Sequence, residues 1–183
     1  MEDTFLTIIG IFIAFILMFI VPLILISDRA DDISQLIVKT TTEEFVNEVI
    51  KTGKITNDRY LRFLDELTSS GNTYDIDMEI KILDENTSKR VTDNDPQELG
   101  HNTYYSLFTS QIEDIIGVSG MNTDNNVDGK IILKQGDIIS VTVKNSSKTM
   151  SQSLKSFYHN TKDSEISIIA ATASGTIAIN GRR

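Results

Sequence analysis

The stretch that decides the fold is Phe5-Leu-Thr-Ile-Ile-Gly-Ile-Phe-Ile-Ala-Phe-Ile-Leu-Met-Phe-Ile-Val-Pro-Leu-Ile-Leu-Ile26. It carries no charge, and Thr7 is its one polar side chain, able to bond back to its own helix. At 1.5 Å per residue, about 22 residues extend roughly 33 Å, the thickness of a bilayer's hydrocarbon core. Pro22 sits near the exit, where a membrane helix tolerates it. A cleaved signal peptide has a basic start and a shorter apolar core. Here the start is Met1-Glu2-Asp3-Thr4 and the run ends in Ser27-Asp28-Arg29-Ala30-Asp31-Asp32, so a retained anchor is expected.

Beyond this run the composition changes. The chain is 40% hydrophobic overall, but the residues after Ile26 are rich in Asp, Asn, Ser, Thr and Lys. Subtracting the anchor from 183 residues leaves enough chain for one domain with a real core. The net charge of -9 repels phosphate, so nucleic acid is not an expected partner. There is no cysteine, which excludes disulfides, thiol catalysis and cysteine-ligated zinc.

The helix is expected to continue past the membrane. Ile33, Leu36, Ile37, Phe45, Val46, Val49 and Ile50 follow a 3.6-residue period. Thr40-Thr41-Thr42 interrupts it, either as a break with Thr42 capping a second helix or as part of one long stalk. Gly53 is the stop signal. Asn57 or Thr56 then caps a short helix with Tyr60, Leu61, Leu64 and Leu67 on one face. From Tyr74 the period becomes two: Tyr74, Ile76, Met78, Ile80 and Ile82 alternate with Asp75, Asp77, Glu79 and Lys81, as in a half-buried strand.

The polar residues 84–100 read as a loop, 104–116 as a helix and 119–128 as a second loop. Strands are expected at 130–134 and 137–144 around Gln135-Gly136, a helix at 149–159, and two strands at 166–171 and 176–179 around Ser174-Gly175. The fold class is α+β: a long N-terminal helix, then a small head of short helices and a mainly antiparallel sheet of four or five strands. The expected divisions are a tail at 1–4, a transmembrane helix at 5–27, an amphipathic continuation or stalk at 28–53, and the head at 54–183.

One segment matches a metal-binding pattern. Asp124-Asn125-Asn126-Val127-Asp128-Gly129 satisfies D-x-[DN]-x-[DN]-G, with Asp124, Asn126 and Asp128 as the Ca²⁺ candidates. The twelfth position, where a bidentate Glu is needed, is Gln135, and the flanks read as loop and strand. A plain Asn/Asp-Gly turn is the competing reading. His101 and His159 stand apart from any acidic or nucleophilic motif. Asp75, Asp77 and Glu79 share a strand face that alternation assigns to solvent. No catalytic or cofactor-binding residue is assigned, and the chain is read as non-enzymatic.

The layout resembles type IV pilin-like proteins, and in detail the pilin-like and TadE-like proteins of tight-adherence and related secretion or conjugation loci in Gram-positive bacteria. The residues that carry this are the anchor, the run Glu43-Glu44-Phe45-Val46-Asn47-Glu48-Val49-Ile50-Lys51-Thr52-Gly53-Lys54-Ile55-Thr56, and Gly136-Asp137-Ile138-Ile139-Ser140-Val141-Thr142-Val143. The prepilin cleavage motif is absent from these residues: Gly10 is followed by Ile-Phe-Ile-Ala-Phe, without a glutamate. Glu2 is the acidic group near the start that could pair with a neighbouring subunit. The resemblance implies a structural or assembly subunit of a cell-surface or secretion apparatus. Its partners would be the lipid bilayer and other membrane or pilin-like subunits, this chain included. It implies a single-pass cell-membrane protein with an extracytoplasmic head. Charge alone, with Arg29 and then Lys39 after the span, would place the head inside. The alternative function is an anchored module that binds or senses a ligand without catalysis.

Overall fold

The computed structural model describes residues 2–84, 103–118, 129–159 and 169–181. Its first element is one helix, α1, Glu2–Thr52, which runs unbroken through Pro22 and through the three threonines. The threonines do not cap. The Thr42 hydroxyl donates to the Val38 carbonyl at 2.6 Å, a bond back into its own helix. Thr41 and Thr42 are buried, so they face protein instead of opening the chain to solvent. Gly53 ends the helix at φ +61, its N–H donating to the Val49 carbonyl at 2.8 Å.

After α1 come β1 (Lys54–Thr56), α2 (Asn57–Thr68), β2 (Tyr74–Asp84), β3 (Thr103–Phe108), α3 (Thr109–Ile116), β4 (Lys130–Ile132), β5 (Ile138–Asn145), α4 (Met150–His159) and β6 (Ala170–Thr176). The main sheet has the order β3-β2-β5-β6, every pairing antiparallel. β4 does not form a hairpin with β5. It pairs with β1 in a second, two-stranded sheet.

The sheet has one dry face. Met78, Ile80, Ile139, Val141 and Val143 are buried there, with Ala171 and Ala173 packed alongside. They meet Val38, Phe45, Val46 and Val49 of α1. α2 closes the core beside them: the rings of Phe45 and Phe63 stack with centroids 4.4 Å apart. Its buried face is Tyr60, Phe63 and Leu67, and Leu61, expected to be inside, is 45% exposed. The Tyr60 hydroxyl donates to Glu113 of α3 at 2.6 Å. Burial, then that bond and the carboxylate's charge, push the phenol above its ordinary range.

Three expectations are corrected. The segment 104–116 is half strand, because its aromatic start pairs with β2 (Ile80 opposite Leu107, Ile82 opposite Tyr105), and pairing overrides helical spacing. The helix begins where that pairing ends, at Thr109, whose hydroxyl takes over the Met78 N–H at 2.7 Å. Ser174-Gly175 is not a turn: β6 runs straight through it. A β-carbon at Gly175 would meet the tip of the Ile50 side chain of α1, which occupies the room the glycine leaves. Thr56 holds the cap position of α2 without a side-chain bond, and Asn57 instead donates to the Ile116 carbonyl at 2.9 Å.

The distal end is closed by backbone contacts. A β-carbon on Gly53 would stand 2.6 Å from the Gly181 nitrogen and 2.8 Å from the Ile179 oxygen. We expect Gly53→Ala to cost well over 1 kcal/mol, adding this collision to the left-handed strain. Gly71→Ala, at φ +81 with open space around it, should cost the strain alone. Urea unfolding of both variants checks the difference. A second expectation concerns pH. The Tyr60 phenol titrates higher folded than unfolded, so its contribution is complete below about pH 10 and is lost as pH rises beyond it. Urea midpoints between about pH 8 and 11 should fall, and Tyr60→Phe should flatten that fall.

Candidate functional site

The head occupies only the second half of α1. From Thr4 onward the helix is long and apolar enough to cross a membrane, and its most apolar window is entirely unburied by the rest of the chain. The functional question therefore centres on how this bare rod is joined to the head.

The join is polar. Asp28 accepts from the Ser151 hydroxyl at 2.5 Å and Asp31 from the Thr149 hydroxyl at 2.8 Å. Thr149 also caps α4: its oxygen accepts from the Gln152 N–H at 3.2 Å, while its own N–H donates to the Gln152 side chain at 3.1 Å. Two carboxylates from α1 thus face the positive end of α4 through its cap hydroxyls. One turn further, Gln35 binds Ala170 with both ends of its amide, donating to the carbonyl at 2.7 Å and accepting from the N–H at 3.0 Å. It fills hydrogen-bonding positions that the start of edge strand β6 would leave open. Ser34 accepts from Asn72 at 3.3 Å. The run Ser27 to Asp32, read from sequence as the polar end of the apolar stretch, is in part a docking surface.

The opposite end of the head carries a cleft of about 800 Å³. Lys51, Lys54 and Arg59 line it together with Thr52, Ile179 and Asn180. Arg59 is fixed by an ion pair with Glu48 and by donation to the Thr52 hydroxyl at 2.8 Å. The two lysines and the half-exposed Ile179 form an amphipathic, cationic recess on an otherwise acidic chain.

Asp124, Asn126 and Asp128, the Ca²⁺ candidates, lie outside the described residues, as does His101. Their described flank is structural: the Gly129 carbonyl accepts from Asn57 at 3.1 Å, and the Gln135 N–H donates to Asn180 at 2.8 Å. His159 ends α4. Asp75, Asp77 and Glu79 do share the outer sheet face; Glu79 accepts from Ser106 at 2.8 Å and lies 3.8 Å from Lys81. No group of three potential metal ligands occurs among the described residues.

One acidic residue that sequence reasoning treated as ordinary strand is buried at the centre of the distal end. Asp137 is 2% exposed and accepts from the N–H groups of Leu83 at 2.9 Å and Lys134 at 2.7 Å. Its carbonyl receives the Ile177 N–H at 2.7 Å. These contacts, all among the described residues, are structural.

At the join, Thr149→Val should cost the head about 1 to 2 kcal/mol, since it removes the cap of α4 and leaves Asp31 without its donor. Hydrogen exchange should rise in the first turn of α4. Asp32→Ala, one residue along and exposed, should stay within about 0.5 kcal/mol of the parent.

Comparison with family models, with curated proteins and with solved structures finds no match for this chain, so the case for a function rests on its own geometry and chemistry.

Proposed function

We propose that the protein is a structural or assembly subunit, pilin-like or pseudopilin-like, of a cell-surface or secretion apparatus. It is held in the membrane by α1 and carries its head on the extracytoplasmic side. One observation supports this above the others: the membrane-crossing helix and the central core helix are the same rigid element. A tether needs only a flexible link between anchor and domain. Here Asp28, Asp31, Ser34 and Gln35 bind the head within a few turns of the apolar run, and Phe45, Val46 and Val49 form its core. Such a rod presents its head at a fixed height and angle, which is what a repeating assembly requires of its subunits.

A second reading, an anchored non-catalytic binding module, has the distal cleft in its favour. Lys51 and Lys54 suit an anionic group, and Ile179 suits an apolar neighbour.

Protease added to intact cells should remove the head while α1 stays in the membrane; a head protected until the cells are opened refutes the orientation. Amine crosslinking at native expression should give species larger than monomer, whereas monomer alone speaks against assembly. For the second reading, the full chain in detergent micelles should release heat with an acidic hexapeptide, and Lys54→Ala should abolish it. An unchanged signal in that variant removes the cleft as a binding site.

A further inference from the structure

The outward face of α1 carries a pattern that neither the bilayer nor the head accounts for. Counting in sevens from Phe5 gives Phe12, Phe19, Ile26 and Ile33. Counting three further from each gives Ile8 and Phe15, then Pro22 and Arg29, then Leu36. These are the a and d positions of a heptad repeat. All four phenylalanines of the span lie on them, and Phe15 and Phe19 touch with ring centroids 4.8 Å apart. The head takes the other side of the same helix. Ser27, Asp28, Asp31, Ser34, Gln35 and Val38 all fall at b, c or f, the positions a coiled coil turns outward.

Lipid would suffice to cover the seam inside the bilayer, but not above it. Ile33 and Leu36 are 59% and 64% exposed, and they lie past Asp28, Asp31 and Asp32. Leu36 stands ten residues, about 15 Å of helix, beyond Ile26. An apolar ridge in that place is bare until another surface meets it.

We propose that this seam, from Phe5 to Leu36, packs against the same seam of a second copy in a parallel, in-register pair of α1 helices. The inference rests on the assembly reading above and names its first contact. Two copies anchored in one membrane in one orientation are necessarily parallel. A seven-residue repeat, apolar at every a and d position from Phe5 to Leu36 except Arg29, brings the same stripe back to the partner turn after turn, with left-handed supercoiling. The charges agree. In that register Lys39, at g, faces Glu44 of the second copy, at e, and the contact occurs twice by symmetry. Both residues are exposed. Arg29, also at d, interrupts the apolar stripe with a like-charged pair whose long stems carry the guanidinium groups outward, and Glu43 at d, beside Glu44, ends the seam below the thick part of the head.

The span offers one rival face. Gly10 and Ala14 form a small-xxx-small pair of the kind that brings membrane helices together at a steep crossing. They sit at f and c, the side the head occupies higher up, and such a crossing would leave Ile33 and Leu36 uncovered.

The chain has no cysteine, so single cysteines report the contact directly. Full-length variants Phe19→Cys, Ile33→Cys, Leu36→Cys, Ala14→Cys and Ile13→Cys are oxidised with copper phenanthroline in native membranes. The urea midpoint of the head confirms folding of each. Disulfide dimers are expected from the first three, and little from Ala14→Cys or Ile13→Cys. Adding Lys39→Glu to Leu36→Cys should lower its dimer yield several-fold, and adding Glu44→Lys as well should restore it. Dimers from Ala14→Cys alone, or adducts only with a different protein, overturn the seam while leaving the assembly reading in place. No crosslink from any position overturns both.

Discussion

The contact on which the structure depends is the seating of α1 against the dry face of the main sheet. Val38, Phe45, Val46 and Val49 are the apolar surface that β5 and β6 bury, and the sheet is thin enough to need it. Four strands with one apolar face cannot stay folded in water uncovered. The covering element also carries the apolar span. Folding of the head therefore fixes where the span begins and at what angle it leaves.

Small residues make this seating close. Ala171, Ala173 and Gly175 alternate along the inner face of β6, and Ile50 fills the room that Gly175 leaves. At the end of the helix the chain returns: the Ala178 N–H donates to the Ile50 carbonyl at 3.3 Å, satisfying one of the acceptors a helix end exposes. The Gly181 N–H donates to Leu133 at 2.9 Å, and the Leu133 N–H to Gly53 at 2.8 Å. Residues 177–181 thus join the end of α1 to the small sheet. Closure of the head needs both the first and the last described parts of the chain, so its native contacts are largely non-local, a topology that favours slow folding.

Much of this was legible from the residues, and the failures have physical causes. The span, the Gly53 stop and strand β2 were plain because each rests on a local rule: apolar length, left-handed geometry, period two. The Tyr104–Phe108 strand was misread because its apolar spacing fits a helix as well, and only the pairing with β2 decides. Ser174-Gly175 reads as a turn in any local scheme; the partner that packs on the glycine within β6 is Ile50, far away in sequence. Asp137 shows the same limit, since Leu83, whose N–H it receives, lies 54 residues earlier. At the join, the Thr149-x-x-Gln152 capping box is visible in sequence, but its partner Asp31 is supplied by tertiary packing.

The apolar periodicity of α1 misled in a more instructive way. Ile33, Leu36, Phe45 and Val46 read as one amphipathic stripe, yet the structure assigns them to two sides. Phe45 and Val46 are 4% and 2% exposed against the head, while Ile33 and Leu36 look away from it. A helix serving a single core would place polar groups outward at those two positions. The switch falls at Val38, Thr41 and Thr42, where the inward face is already occupied by the sheet. A hydrophobic pattern with two phases on one helix implies two surfaces to cover. The head covers one; the other runs on from the apolar stretch ending at Ile26, past Asp28, Asp31 and Asp32, to Ile33 and Leu36. Thr42 marks where one task hands over to the other without breaking the helix, because its hydroxyl, bonded back to Val38, is polar in sequence and nearly apolar in effect.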